Sequence, residues 1–296
     1  MADFQKMRAQ VISGAGFIAA LDQSGGSTPK ALHQYGVEPD AYDGEEAMFA
    51  EIQNMRARIM TDANFNSDKV IGAILFDKTL AEKIDGVTVP AFIWEQNGVV
   101  PFLKIDKGLE AEANDVQVMK PIPDLPATLA AAKKLGVFGT KERSVINAAN
   151  ADGIADIVAN QFDVAMTVID ADMVPIIEPE INIHSQSKAE AEDMLAEALM
   201  EKLSTLKAGQ DVMLKLTIPN NAGIYDALAD HPRVLRVVAL SGGYSTQDAC
   251  ARLSQNNKMI ASFSRALTEG LQKSQSDMEF GAALGSNIDA IYRASI

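Results

Sequence analysis

Cysteine, histidine and tryptophan are nearly absent: one cysteine (Cys250), three histidines (His33, His184, His231) and one tryptophan (Trp94) occur in 296 residues. A single cysteine excludes an intrachain disulfide and fits a reducing compartment. No two of the histidines stand at ligand spacing, which argues against a protein-bound catalytic zinc. Basic charge is scarce as well, with 26 Lys and Arg against 40 Asp and Glu and a net charge of −14. That balance argues against nucleic acid and anionic membrane surfaces as partners, because both select basic faces. It does not exclude a phosphorylated substrate, since a local group of lysines and arginines can dominate inside a cleft. No stretch approaches the roughly 18 apolar residues of a membrane helix, and Met1-Ala2-Asp3-Phe4-Gln5-Lys6 carries no apolar leader segment. Low-complexity segments, identical repeats and Pro/Gly/Ser linkers are missing too. A soluble, cytoplasmic protein is expected, and composition leaves a homo-oligomer open.

What the chain does contain is ample apolar material, 47% of its residues, at a mean hydropathy of zero. Short apolar, β-branched runs alternate with longer amphipathic stretches. The runs are Gly16–Leu21, Val70–Phe76, Val99–Asp106, Val137–Ile146, Met173–Glu180, Val212–Ile218, Val234–Ser241 and Met259–Arg265. Near-continuous apolar runs read as strands buried on both faces, and eight of them suit a closed parallel sheet with crossover helices. Between two runs, Ser187 and Glu190 read as a capping box, apolar residues from Ala191 to Leu206 recur at helical spacing, and Gly209 marks the stop. Pro175 and Pro179 are expected near the ends of their strand, because proline cannot donate to a ladder. The rhythm also suits an open doubly wound sheet; the expected fold class is α/β, a single (β/α)8 TIM barrel over residues 1–296.

Charged and polar residues interrupt the runs near their C-terminal ends. Asp22 follows the first; Lys104 and Asp106 close the third; Lys141 and Arg143 sit in the fourth, Glu178 and Glu180 in the fifth, Lys215 in the sixth; Ser241 ends the seventh and Arg265 the eighth. Residues two apart on a strand share a face, and in a barrel the C-terminal strand ends converge on the mouth where active sites form. Lys215, within Val212-Met213-Leu214-Lys215-Leu216-Thr217-Ile218, is the sharpest signal. A lysine on a buried strand is costly unless neutral or paired, and burial beside cations such as Lys141 and Arg143 would free it as a nucleophile. The plainer reading is a lysine reaching out from a strand end. Glu178 and Glu180 offer carboxylates for proton transfer, or a salt bridge. The turns Ser24-Gly25-Gly26-Ser27 and Ser241-Gly242-Gly243 let backbone N–H groups approach an anion, and with Arg265 they suggest a substrate carrying two phosphates.

The segments Gly14–Ser27, Leu103–Gly108, Val174–Glu180, Met213-Leu214-Lys215 and Leu240–Gly243 resemble, in order, those of the class I fructose-bisphosphate aldolases, most closely the bacterial branch. The resemblance runs from about Met7 onward. It implies a lyase of glycolysis and gluconeogenesis that cleaves fructose 1,6-bisphosphate to dihydroxyacetone phosphate and glyceraldehyde 3-phosphate, without metal or organic cofactor. It implies Lys215 as the Schiff-base lysine, Glu178 as acid/base, Asp22 near the bond that breaks and Lys141 as the cation supporting carbinolamine chemistry. Arg143 and Lys104 would line the C6-phosphate end. Ser241, Gly242, Gly243 and Arg265 would hold the C1 phosphate. The chain departs from the animal branch at Glu142, where those enzymes have tryptophan, and at Ala31, where they have a phosphate-binding arginine. Its Phe263-Ser264-Arg265 segment is one residue shorter, and after Tyr292 it lacks the tail whose terminal tyrosine aids proton exchange, leaving the role of Tyr292 open. Two further readings remain: the same chemistry on another ketose bisphosphate such as tagatose 1,6-bisphosphate, and a metal-dependent lyase. A non-catalytic binding protein on this barrel would leave Lys215 without a purpose.

Overall fold

A strand apolar on both faces is stable only inside a parallel sheet covered by helices, and all eight runs take that form. In the computed structural model, which describes residues 2–296, they become β1 (Phe17–Leu21), β2 (Val70–Leu75), β3 (Val100–Lys104), β4 (Gly139–Ile146), β5 (Val174–Ile181), β6 (Val212–Thr217), β7 (Val234–Leu240) and β8 (Met259–Ala261). Met1, the first residue of the expected span, lies outside the described residues. Neighbours pair in parallel in sequence order. The seam between β8 and β1 is bridged by the Ala20 N–H donating to the Phe263 carbonyl at 3.3 Å. The result is a nearly closed TIM barrel with helices between strands, the expected fold. A two-residue strand, Val116–Gln117, adds antiparallel to the C-terminal end of β4, opposite Ile146 and Val145.

Alternation along the strands separates two cores. Inside the barrel, Ile18, Val100, Phe102, Phe138, Ile176, Met213, Val238 and Ile260 form one cluster, and Met7 and Val11 of the Ala2–Ser13 helix join it. The Phe4 ring of that helix lies 4.7 Å from Phe138, so the helix closes the barrel at the end opposite the mouth. Phe102 is accommodated by glycine on both neighbouring strands. A Cβ at Gly72 would meet its ring at 3.1 Å, and one at Gly139 at 3.0 Å. The outward faces pack beneath the helices as a second, larger cluster that includes Leu195, Leu199 and Leu203.

Several local expectations are corrected. The expected capping box at Ser187 does not form, although the helix does begin at Lys188. The Ser187 hydroxyl instead accepts from the Ala149 N–H at 2.8 Å, a contact between two loops at the mouth. A complete capping box occurs at Ser276 and Glu279, opening the Asp277–Ala294 helix. That of Lys188–Ser204 stops before Gly209, which sits in a following turn at φ +89°. The eighth run ends early, at Ala261; Ser264 turns into a short helix that starts with Arg265. Pro175 and Pro179 do lie near the ends of β5. Both lack the N–H that would bond β6, whose register with β5 covers only Ile176 and Ile177. Thr217 restores the link, its hydroxyl accepting from the Ile181 N–H and donating to the Ile181 carbonyl, each at 2.9 Å.

Phe102 fills the centre of the interior cluster, so Phe102→Ala should lower the urea midpoint by an amount equivalent to about 3–5 kcal/mol. A midpoint within experimental error of the unsubstituted protein would mean that the two flanking glycines, not the ring, set the packing there.

Candidate active site

The C-terminal ends of the strands carry the charged residues, and alternation turns them inward. Lys141, held on β4 two residues after Gly139, is the hub. Its ammonium lies 2.8 Å from Asp22 Oδ2, 3.0 Å from Glu178 Oε2 and 3.6 Å from Asp106 Oδ2. Lys104 Nζ reaches Asp106 Oδ1 at 2.7 Å and the Asp106 carbonyl at 3.1 Å. Lys215 Nζ, on β6, stands 2.9 Å from Glu178 Oε1. Arg143 is bound by Glu180 through its Nε. The cations Lys104, Lys141, Arg143 and Lys215 therefore interleave with the carboxylates Asp22, Asp106, Glu178 and Glu180. The Lys215, Lys141 and Glu178 side chains are only 5%, 3% and 4% exposed, so these charges act with little solvent screening.

Electrostatics fixes the protonation of the hub. Burial alone would raise Asp22, but the charges of Lys141, Lys215 and Lys104 outweigh it and hold the carboxyl well below the usual range. Burial alone would lower Lys141, yet Asp22, Glu178 and Asp106 raise it above the ordinary lysine value. Lys141 and Arg143 are the cations expected from sequence beside Lys215. In the structure Arg143 is taken up by Glu180, and the charge nearest Lys215 is the Glu178 carboxylate. Glu178 Oε2 is buried against the Lys141 ammonium, so the two oxygens of this carboxylate face two different lysines. Glu142, between Lys141 and Arg143, faces away from the barrel axis. It accepts from the Thr140 hydroxyl at 3.2 Å, and burial pushes its carboxyl well above the usual carboxylate range.

These groups floor an open cleft of about 860 Å³, which every sequence-predicted site residue lines except Gly243. On one wall, Ser24 and Ser27 close a turn on each other, the Ser27 hydroxyl accepting from the Ser24 N–H at 3.0 Å and donating to the Ser24 carbonyl at 2.9 Å. On another, Ser241-Gly242-Gly243 turns with φ of +60° and +132° at the glycines. A Cβ on Gly242 would meet Ile183 at 2.6 Å, so only glycine fits, and Arg265 Nη2 lies 3.7 Å from where a Gly243 Cβ would stand. Gly243 thus supports the turn behind Arg265. The cleft also includes residues not selected from sequence: Gln23, Lys30, Lys107 and Ser262. Ser262 could have been found by extending the alternation of β8 from Ile260; its hydroxyl is buried and unpartnered. Tyr292 packs against the outer core and does not line the cleft. Among the described residues, no group of three His, Cys, Asp or Glu could hold a metal ion.

The family model described as "Fructose-bisphosphate aldolase class-I" matches residues 4–224, from the first helix to just beyond β6. The chain is 51% identical over 292 residues to a fructose-bisphosphate aldolase class 1 of Synechocystis sp., a match covering 99% of this chain and 97% of that protein. It is also 51% identical over 287 residues to one from Porphyromonas gingivalis, covering 97% of each. These whole-length matches include β7 and β8 with Ser241 and Arg265. Among solved structures, fructose-bisphosphate aldolase from Plasmodium falciparum superposes with a TM-score of 0.76 over 99% of this chain and 94% of that one; at 19% identity the likeness concerns fold alone.

Replacing Lys141 by Met removes the cation shared by three carboxylates and should cost about 3–5 kcal/mol of stability. In the unsubstituted protein Asp22 is depressed, so its contribution is present above the unfolded value of about 3.9 and fades as pH falls through the lower folded value. In Lys141→Met the sign reverses, because buried carboxylates without a counter-charge bind protons more readily folded than unfolded. The urea midpoint of that variant should rise from about pH 8 to about pH 5. A flat or falling midpoint over that interval would remove Lys141 from its role as counter-charge.

Proposed function

The chain belongs to the class I fructose-bisphosphate aldolase family and is a fructose-bisphosphate aldolase, a lyase; from that premise we propose that Lys215 is the amine that attacks the substrate. The observation that carries this is the Lys215 amine held 2.9 Å from the buried Glu178 carboxylate on the cleft floor. Proton transfer from the ammonium to Glu178 makes a neutral nucleophile without exposing either charge to water.

The neutral amine adds to the C2 ketone of fructose 1,6-bisphosphate to give a carbinolamine. Glu178 returns the proton to the C2 oxygen, water leaves, and the iminium remains. Lys141, always charged here, stabilises the oxygen as it develops negative charge. Glu178 then removes the C4 hydroxyl proton. Asp22, held ionised by its lysines, is a weak proton acceptor and acts by keeping Lys141 in place. The C3–C4 bond breaks as its electrons flow to the iminium nitrogen, and glyceraldehyde 3-phosphate departs. Protonation of the resulting enamine at C3 and hydrolysis release dihydroxyacetone phosphate and restore Lys215. The iminium is the electron sink, so these steps call on no metal and no organic cofactor.

The two phosphates are assigned to the two glycine turns: C1 to Ser241, Gly242 and Arg265, with Gly243 behind them, and C6 to Ser24, Ser27, Lys104 and Arg143. Arg143 would have to release Glu180 to bind an anion fully, which makes Glu180 its resting partner. Among the described residues, no helix is long and apolar enough to cross a membrane. Together with the single cysteine and a glycolytic activity, that supports a cytoplasmic setting.

Borohydride reduction in the presence of dihydroxyacetone phosphate should leave a covalent adduct on Lys215, read by peptide mass spectrometry. Lys215→Ala should lower kcat by at least about 10⁴-fold. An adduct on a different lysine, or near-normal turnover in the variant, would refute the assignment. Activity should also persist in EDTA.

A further inference from the structure

Arg56, on the Gly44–Thr61 helix, is the largest fully buried side chain of the protein, at 0% exposure, yet no carboxylate pairs with it directly. Its Nη2 donates to the Gln23 main-chain carbonyl at 2.5 Å and reaches Gln23 Oε1 at 3.4 Å. Its Nη1 donates to the Thr79 hydroxyl at 3.1 Å, and that hydroxyl donates to Gln53 Oε1 at 3.0 Å. Its Nε has no partner. A buried cation without a bonded counter-ion is expensive to keep. Burial pulls it down to about 10 against the fields of Asp22 and Asp77, so it remains a cation at neutral pH. Retaining such a group demands something that apolar packing would not supply.

Gln23 stands between Asp22, which is paired with Lys141, and Ser24, which opens the serine turn. With Oε1 turned to Arg56, the Gln23 amide presents Nε2 to the Ser264 hydroxyl at 2.7 Å. Ser264 directly precedes Arg265 at the start of its short helix. One hydrogen-bonded chain, Thr79–Arg56–Gln23–Ser264, thus ties the exit of β1 to that of β8, with the segment after β2 behind it. It joins the two walls of the cleft at the seam where the sheet itself contributes little hydrogen bonding.

We propose that Arg56 is a positioning residue that, through Gln23 and Ser264, fixes the distance between the serine turn and Arg265 and so sets the site to the span of a ketose carrying two phosphates. This rests on reading those two walls as the phosphate sites. Arg56 touches no substrate atom; its planar fork holds the Gln23 carbonyl and amide together, which a lysine cannot do.

The test compares Arg56→Lys and Gln23→Ala on two substrates, fructose 1,6-bisphosphate and fructose 1-phosphate, the second of which engages the Arg265 wall alone. In both variants KM for the bisphosphate should rise about tenfold, kcat should stay within about threefold, and KM for the monophosphate should stay within about twofold. A merely structural role would lower thermal stability and the active fraction without changing the ratio of the two KM values. The proposal is overturned if that ratio is unchanged, whether both KM values rise together, neither does, or kcat alone falls. Should Arg56→Lys not accumulate as folded protein, Gln23→Ala, at the edge of the cleft, decides the matter by the same ratio. Arg265→Ala separates the two readings: an unchanged KM for fructose 1-phosphate would sink the assignment of the phosphate walls, whereas a raised one together with an unchanged KM ratio in the Arg56 and Gln23 variants would sink the positioning role alone.

Discussion

A single buried ammonium organises the mouth of this barrel. Lys141 lies within ion-pair distance of Asp22, just after β1, Glu178 on β5 and Asp106, just after β3. Without it those carboxylates would share a poorly solvated space with too few counter-charges. With it Asp22 stays ionised, and the other two are each shared with a second cation: Asp106 with Lys104, Glu178 with Lys215. The Lys215 amine is held in place because its partner carboxylate is itself fixed from the other side.

Such a cluster is affordable only because the rest of the barrel is dry and rigid. Below the charged layer the interior is apolar, centred on Phe102 and Phe138 and closed by Met7 and Val11. The same alternation that buries those rings points Lys141, Glu178 and Lys215 at the mouth. Stability is concentrated at the closed end and chemistry at the open one, a division in keeping with the fold. Arg56 extends the pattern outward. It too is a buried cation, and it organises backbone and amide oxygens where Lys141 organises carboxylates.

The strands could be read from the chain because each is apolar on both faces, a pattern that needs no knowledge of neighbours. Their ends were harder. Arg265 continues an apolar run in sequence but begins a helix in space, since the chain turns at Ser264. Ser187 has the residue spacing of a capping box, but its hydroxyl is engaged by the Ala149 N–H from another loop. A nearby strand likewise offers Lys141 and Arg143 as cations for Lys215, and in the fold its nearest charge is a carboxylate. Arg56 drew no notice in sequence, where it is one of several charges along a surface-length helix, because its partners are 23 and 33 residues away.

The amino-acid sequence alone therefore determined the strand pattern, the α/β class and the candidate residues at the strand ends, because burial and side-chain alternation are local properties of the chain, whereas closure of the sheet into a barrel is not. Which of those residues meet, which proton each one holds and how the two walls are spaced were decided only by the tertiary structure. Ion pairs and shared hydrogen bonds depend on distances of a few ångströms between strands that the sequence keeps far apart.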